Sequence, residues 1–202
     1  MATAFLDALK ARRSIYPLTK ELPASLTKSR VESIITEAIA ATPSSFNSQS
    51  NRAVLLLGAE HDKLWDITAE TLKAIVPAEN WEPTASKMAM FKAAAGSVLV
   101  FEDQDVVKGM QDQFPLYADR FGPWATQSAG MLQLNLWTAL ELEGAGANLQ
   151  HYNPLIDEKV ASTWKIPASW KLNAQLVFGG KGGEAGPKES KPAEEVFKSF
   201  SS

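Results

Sequence analysis

Between Thr27 and Ala41 the apolar positions recur at helical spacing. Val31, Ile34, Ile35, Ala38 and Ile39 form one stripe, and Thr27 stands where an N-cap is needed. Thr42-Pro43 predicts the end of that helix, because the residue before a proline is pushed out of the helical region. A shorter helix is predicted over Thr3–Arg13, with Phe5, Leu6 and Leu9 on one face and two arginines closing it. The pattern then changes: Arg52–Gly58 (RAVLLLG) and Ser97–Glu102 (SVLVFE) are continuous apolar runs of strand length and read as buried strands. Helical patterns at Leu64–Val76 and Ala85–Ala95 lie between them.

Pro123–Glu143 is the most apolar long segment. Met131, Leu132, Leu134, Leu136, Trp137, Leu140 and Leu142 cover nearly its whole circumference, which places such a helix in a core or at a subunit interface. The alternation Leu132-Gln133-Leu134-Asn135-Leu136 also permits a strand, but length and the closing Gly144 and Gly146 favour the helix. A short helix over Ile156–Trp164 and a strand over Asn173–Phe178 complete the pattern. In the tail, Pro192–Phe200, the large apolar residues Val196, Phe197 and Phe200 sit at helical spacing and predict docking, with a partner subunit as one surface for it. Helices outnumber strands and separate them, so the class is α+β or mixed α/β around a small central sheet.

Composition adds bounds. The 202 residues suit one domain, 1–202, and 45% hydrophobic against 21% charged residues is enough apolar surface to order the chain. A net charge of -3 carries no footprint for nucleic acid or an anionic membrane. The absence of cysteine removes disulfides, thiolate metal sites and cysteine catalysis. At the N-terminus the charges follow the apolar residues, the reverse of a secretory signal, and no apolar run approaches the roughly 18 residues of a spanning helix. Together these predict a cytoplasmic protein with no membrane partner. Six tryptophans read first as core and interface packing, and more sharply as walls for a flat aromatic ligand.

Three segments carry candidate chemistry. Arg12-Arg13-Ser14 is a compact donor cluster that suits a phosphate, although paired arginines at a helix end also simply complement the helix dipole in solvent. Pro43-Ser44-Ser45-Phe46-Asn47-Ser48-Gln49 packs hydroxyls and amides into a loop before a strand; it is either an ordinary polar loop or a reader of a pyrimidine-like edge or polyol chain. The Gly179–Lys188 stretch is no triphosphate-binding loop, since Glu189 follows Lys188 and Pro187 removes a donor; a mobile glycine loop delivering Lys188 to an anion is simpler. His61 and His151 lack partners at metal-ligand spacing, and His61, beside Asp62 and Lys63, is expected in a solvated helix start. Neither a G-x-S-x-G nor a G-x-G-x-x-G motif occurs.

In this order, Arg12-Arg13-Ser14, Pro43–Gln49, Gly144–Pro154 (GAGANLQHYNP) and Gly186–Pro192 (GPKESKP) resemble the FMN-dependent nitroreductase family, and its short fungal-type and bacterial branch most of all. The resemblance spans nearly the whole chain. It implies a nitroreductase-like α+β fold, a small, mainly antiparallel sheet surrounded by helices, in an intertwined homodimer with FMN at the interface. Carried over by position, Arg12, Arg13 and Ser14 would hold the phosphate and ribityl end, with Lys188 approaching the phosphate. Ser44, Ser45 and Asn47 would line the flavin from the other subunit, and Leu149, Gln150 and His151 would lie along the isoalloxazine. The implied activity is a ping-pong transfer of electrons from NADH or NADPH to nitroaromatics, quinones or similar flat small-molecule acceptors, with no side chain assigned as acid or base.

The chain departs from the family pattern in places. Tyr16 and Ser190 stand where many relatives have basic residues, and Ser50 and Asn51 replace a usual proline and tryptophan. The departures keep open a flavin-binding stress or regulatory protein with little turnover. A non-flavin helical module that meets a protein partner through its aromatic surface is the third reading.

Overall fold

A computed structural model describes residues 2–201. In chain order the elements are α1 (Ala2–Ala11), β1 (Leu18–Thr19), α2 (Lys28–Ala41), β2 (Asn51–Leu57), α3 (Ala59–Lys73), α4 (Trp81–Lys92) and β3 (Gly96–Asp103). They continue with α5 (Gln104–Gln113), α6 (Ala118–Leu142), β4 (Gly146–Gln150), α7 (Asp157–Trp164), β5 (Trp170–Lys181) and α8 (Ala193–Val196). The five strands form one sheet in which every strand pairing is antiparallel. β5 is its hub, pairing with β3, β4 and β1, while β2 lies outside β3. This is the α+β class the sequence predicts.

Side chains alternate across a strand, and here both faces of the sheet are covered. From β3 and β5, Val98, Val100, Leu176 and Phe178 enter one apolar layer with Val31 and Ile34 of α2 and Leu132, Leu136 and Leu140 of α6. Their neighbours Leu99, Phe101, Leu172 and Val177 enter the opposite layer with Leu64 and Trp65 of α3, Phe91 of α4 and Val160 of α7. Every residue of β3 is therefore buried, which is why its sequence is a continuous apolar run. β2 forms as predicted but lies at the edge, and most of its residues are half-buried rather than buried.

The Thr27 hydroxyl accepts the Arg30 N–H at 3.2 Å and caps α2, which ends at the predicted place. After α6, Gly144 adopts φ +89°, the left-handed conformation a helix C-terminus favours. Elsewhere the structure departs from the sequence reading. α5, β1 and β4 carry no strong sequence pattern; β4 (GANLQ) is extended because β5 supplies its hydrogen-bond partners from Gln175 to Gly179. The glycine stretch is not a free loop at its start, because β5 runs on to Lys181. A Cβ on Gly179 would collide with the Thr19 carbonyl oxygen, and one on Gly180 with that of Glu21. Those two glycines let backbones approach. In the tail only Ala193–Val196 is helical, and Val196, Phe197 and Phe200 are exposed. Among the described residues no helix is long and apolar enough to cross a membrane.

The expectation of a solvated His61 is overturned. Its ring is wholly buried between α3, α4 and β3. Nε2 lies 3.1 Å from the Phe91 carbonyl, an acceptor only, so Nε2 carries the proton. Nδ1 then accepts the Ser97 hydroxyl at 3.0 Å, and the Ser97 oxygen accepts the Trp65 indole N–H at 3.3 Å. Burial lowers the His61 pKa to about 4 against the opposing pull of the Phe91 carbonyl bond.

Candidate functional site

The segment after α1 cannot continue as helix, because its backbone is taken up by β4. The Ile15 N–H donates to the Ala147 carbonyl at 2.9 Å, the Asn148 amide donates to the Ile15 carbonyl at 2.9 Å, and Ser14 bridges Ala147 in parallel. Gly146 makes room, since a Cβ there would meet Leu18 at 2.8 Å and Ile15 at 3.1 Å. The C-terminal segment is tied to the same place: Gly182 N–H donates to the Pro17 carbonyl at 2.8 Å and the Arg13 guanidinium to the Gly186 carbonyl at 2.6 Å. Two stretches about 170 residues apart in sequence are thereby joined at one end of the sheet.

Two clefts open there. The first, about 360 Å³, is lined by Arg12, Arg13, Ser14, Tyr16, Gly186, Pro187 and Lys188. It holds three cations and no carboxylate. The second, about 310 Å³, is lined by Gly130, Gln133, Leu134 and Trp137 of α6, by Leu149 of β4, and again by Arg12 and Ser14. Arg12 and Ser14 wall both, so a cationic cleft and a mainly apolar one adjoin, together termed the trough. The Arg12 guanidinium lies over the Trp137 ring at 4.3 Å, which holds it in place without neutralising it. Arg13 spends one donor on Gly186 and keeps others free.

Of the residues singled out in the sequence, Arg12, Arg13, Ser14, Lys188 and Leu149 are brought together here. Gln150 is on β4 beside Leu149 but on the alternate face, where its amide donates to Asn148 Oδ1 at 2.9 Å; His151 follows, exposed. Ser44, Ser45 and Asn47 line neither cleft of their own chain. They belong to a strained turn in which Phe46, Asn47 and Gln49 all have positive φ, at 57°, 52° and 53°. That conformation is unfavourable for a bulky residue such as phenylalanine and persists only where surroundings enforce it. Here the Ser44 hydroxyl accepts the Gln49 N–H at 2.8 Å and Arg52 donates to the Gln49 carbonyl at 2.7 Å. The half-exposed Phe46 ring sits 4.8 Å from Phe114 and 5.6 Å from Phe121.

Trp137 fits the sharper reading of the tryptophans, as the wall of a pocket for a flat aromatic ligand. Gly130, Gln133 and Leu134 of the same cleft had no such role; Leu134 is lost among the apolar residues of α6 and Gly130 carries no pattern. Gln133 did leave a signal: it is a polar residue on a helix apolar all round, and the structure buries it.

Known proteins resemble this chain in sequence and in fold. The Nitroreductase family model matches residues 9–180. HBN1 of Saccharomyces cerevisiae is 41% identical over 184 residues, 91% of each chain. The structure of the nitroreductase CinD from Lactococcus lactis in complex with nicotinic acid superposes with a TM-score of 0.90 at 46% identity, covering 98% of this chain and 100% of that one; CinD is also known in complex with chloramphenicol and with 4-nitrophenol. A Desulfovibrio desulfuricans protein solved with FMN shares the fold, with a TM-score of 0.69 at 20% identity and 97% coverage of each chain. Family match, sequence identity over nine-tenths of the chain and shared fold agree: the chain belongs to the nitroreductase family, a family of oxidoreductases.

Proposed function

We propose that the trough holds FMN, with the phosphate at Arg12, Arg13, Ser14 and Lys188 and the isoalloxazine along Trp137 and Leu149. The observation that carries this reading is the sharing of Arg12 and Ser14 by a cationic cleft and an apolar one. A flat ring joined to a phosphate by a short polyol needs such a pairing. Arginine forks and a hydroxyl suit phosphate oxygens, and the acceptor-only phosphate suits a cleft with no carboxylate. When bound, FMN supplies two-electron chemistry between NADH or NADPH and an acceptor. The residues of the trough would orient it, and donor and acceptor would take turns at it, a ping-pong exchange. CinD's aromatic ligands, nicotinic acid, chloramphenicol and 4-nitrophenol, favour flat acceptors here, nitroaromatics and quinones among them.

The same reading covers the residues outside the trough. The exposed apolar side chains Phe5 and Leu6 of α1, Met131, Leu134 and Leu142 of α6, and Val196, Phe197 and Phe200 of the tail suit burial in a homodimer. In it, Ser44, Ser45 and Asn47 would reach the partner's flavin, and Gln150 and His151 would complete the wall near the ring.

Purified protein should be yellow, and its flavin absorbance should bleach anaerobically on addition of NADH or NADPH. Colourless protein that also fails to bind added FMN overturns the proposal. Tyr16 favours a second reading, a flavin-binding protein with little turnover, because it lines the cationic cleft where many relatives place a base. Steady-state rates with nitroaromatics and quinones no faster than free FMN would select that reading.

A further inference from the structure

Gln133 buries its amide among apolar residues of α6 yet lines the apolar half of the trough. Its Nε2 donates to Asn173 Oδ1 at 2.5 Å, and Asn173 Nδ2 donates to Glu102 Oε1 at 2.5 Å. Glu102 is 3% exposed, lines neither cleft, and is fixed in β3 by pairing with β2 and β5. A primary amide can face a neighbour with either its oxygen or its nitrogen, so an isolated glutamine would leave the polarity of the cleft undetermined. A carboxylate oxygen accepts only. Glu102 therefore turns the nitrogen of Asn173 toward itself and the oxygen toward α6, and that oxygen takes the nitrogen of Gln133. The carbonyl Oε1 of Gln133 is what remains for the trough, and among the described residues it accepts no hydrogen bond. The same logic operates on the face of β4 turned away from the trough, where the Ile15 carbonyl fixes Asn148 and Asn148 takes the Gln150 nitrogen.

On the reading that the trough holds FMN, we infer that Gln133 is a cofactor-positioning residue that presents a fixed hydrogen-bond acceptor to a donor of the flavin, and that Glu102 sets its polarity from the core through Asn173. The donor is either the ring N3–H or a ribityl hydroxyl. The acceptor locks the ring against sliding along the apolar wall of Trp137, Leu134 and Leu149, where dispersion alone gives no register.

The test is FMN affinity by titration of apo-protein, in wild type and in chains whose folding is checked by thermal melting. E102Q and Q133E should each weaken FMN about three- to tenfold. The first frees the amides to flip, and the second sets a carboxylate against the Asn173 oxygen. The double variant E102Q/Q133E should bind FMN more tightly than Q133E alone. In it the new amide at position 102 donates to Asn173, and Asn173 donates to the new carboxylate at position 133. The second oxygen of that carboxylate again meets the trough as an acceptor. A merely structural glutamine would not be rescued by that reversal. N3-methyl-FMN locates the donor: weakened binding to wild type assigns N3–H, and unchanged binding assigns the ribityl chain. Should E102Q not fold, Asn173→Ser interrupts the relay and should weaken FMN alike. Unchanged affinity in E102Q and Q133E, with Arg12→Ala still weakening FMN, overturns the relay and leaves the flavin reading standing. Failure of wild type to bind FMN overturns the flavin reading itself.

Discussion

The cluster around His61 and the trough around Arg12 both set polar side chains against an apolar layer, yet they close their hydrogen bonds differently. At His61 each group has found a partner: imidazole to hydroxyl, imidazole to carbonyl, indole to hydroxyl. Nothing is left over, and burial holds the ring neutral. At the trough the anchoring contacts are also made, but each anchored group keeps a hydrogen-bonding atom that has no partner among the described residues. Arg13 bonds Gly186 and retains donors, Arg12 stacks on Trp137 and retains all of its own, and Gln133 is fixed through its nitrogen with its oxygen free. A closed polar cluster specifies the packing of α3 on the sheet. An open one is preorganised for something that is not part of the chain.

Acid should separate the two regions most strongly. Above about pH 6.5 the imidazole is neutral in both folded and unfolded chains, and the cluster contributes in full. Between about 6.5 and about 4 the unfolded chain takes up a proton that the folded protein refuses, so stability falls as pH falls. The loss from this group approaches about 3 kcal/mol at the acid end, read by urea unfolding across that range. A His61→Gln chain should lack this part of the slope while keeping its FMN affinity.

The reverse experiment acts on the trough. Arg12→Ala should weaken FMN by about 1.5–3 kcal/mol, the range for a hydrogen bond to a charged group, with thermal stability nearly unchanged. Unaltered affinity in a fluorescence titration would remove Arg12 from the phosphate site. Trp137→Leu should have a smaller effect on binding, about 0.5–1 kcal/mol, because it loosens Arg12 without removing it and leaves an apolar side chain in the wall beside the ring. The smallest effect on folding, within about 0.5 kcal/mol, is expected from truncation after Lys191, since Val196, Phe197 and Phe200 are exposed. The same truncation should weaken the dimer in sedimentation; a dimer as stable as the full chain's would detach the tail from the interface.

Local pattern was enough for α2, whose stripe and cap lie within one short segment, and for β3, whose run is apolar because both faces are buried. The RRS cluster and Lys188 were visible as candidate anion ligands, since arginine, lysine and serine announce that chemistry by residue type. Their meeting was not visible: it depends on the Ile15–Ala147 and Arg13–Gly186 bonds, which join segments far apart in sequence. β4 has no strand signature of its own and is extended only because β5 pairs with it. His61 looked solvated because its sequence neighbours are charged, but successive residues of a helix are turned about 100° apart, and Asp62 turns outward to pair with Lys20 while His61 turns in. The sequence by itself determined which groups are available and which segments bury a face, because periodicity and side-chain chemistry are local. Only the tertiary structure decided which polar groups satisfy one another and which are left with a free valence, because that depends on partners brought together by the sheet.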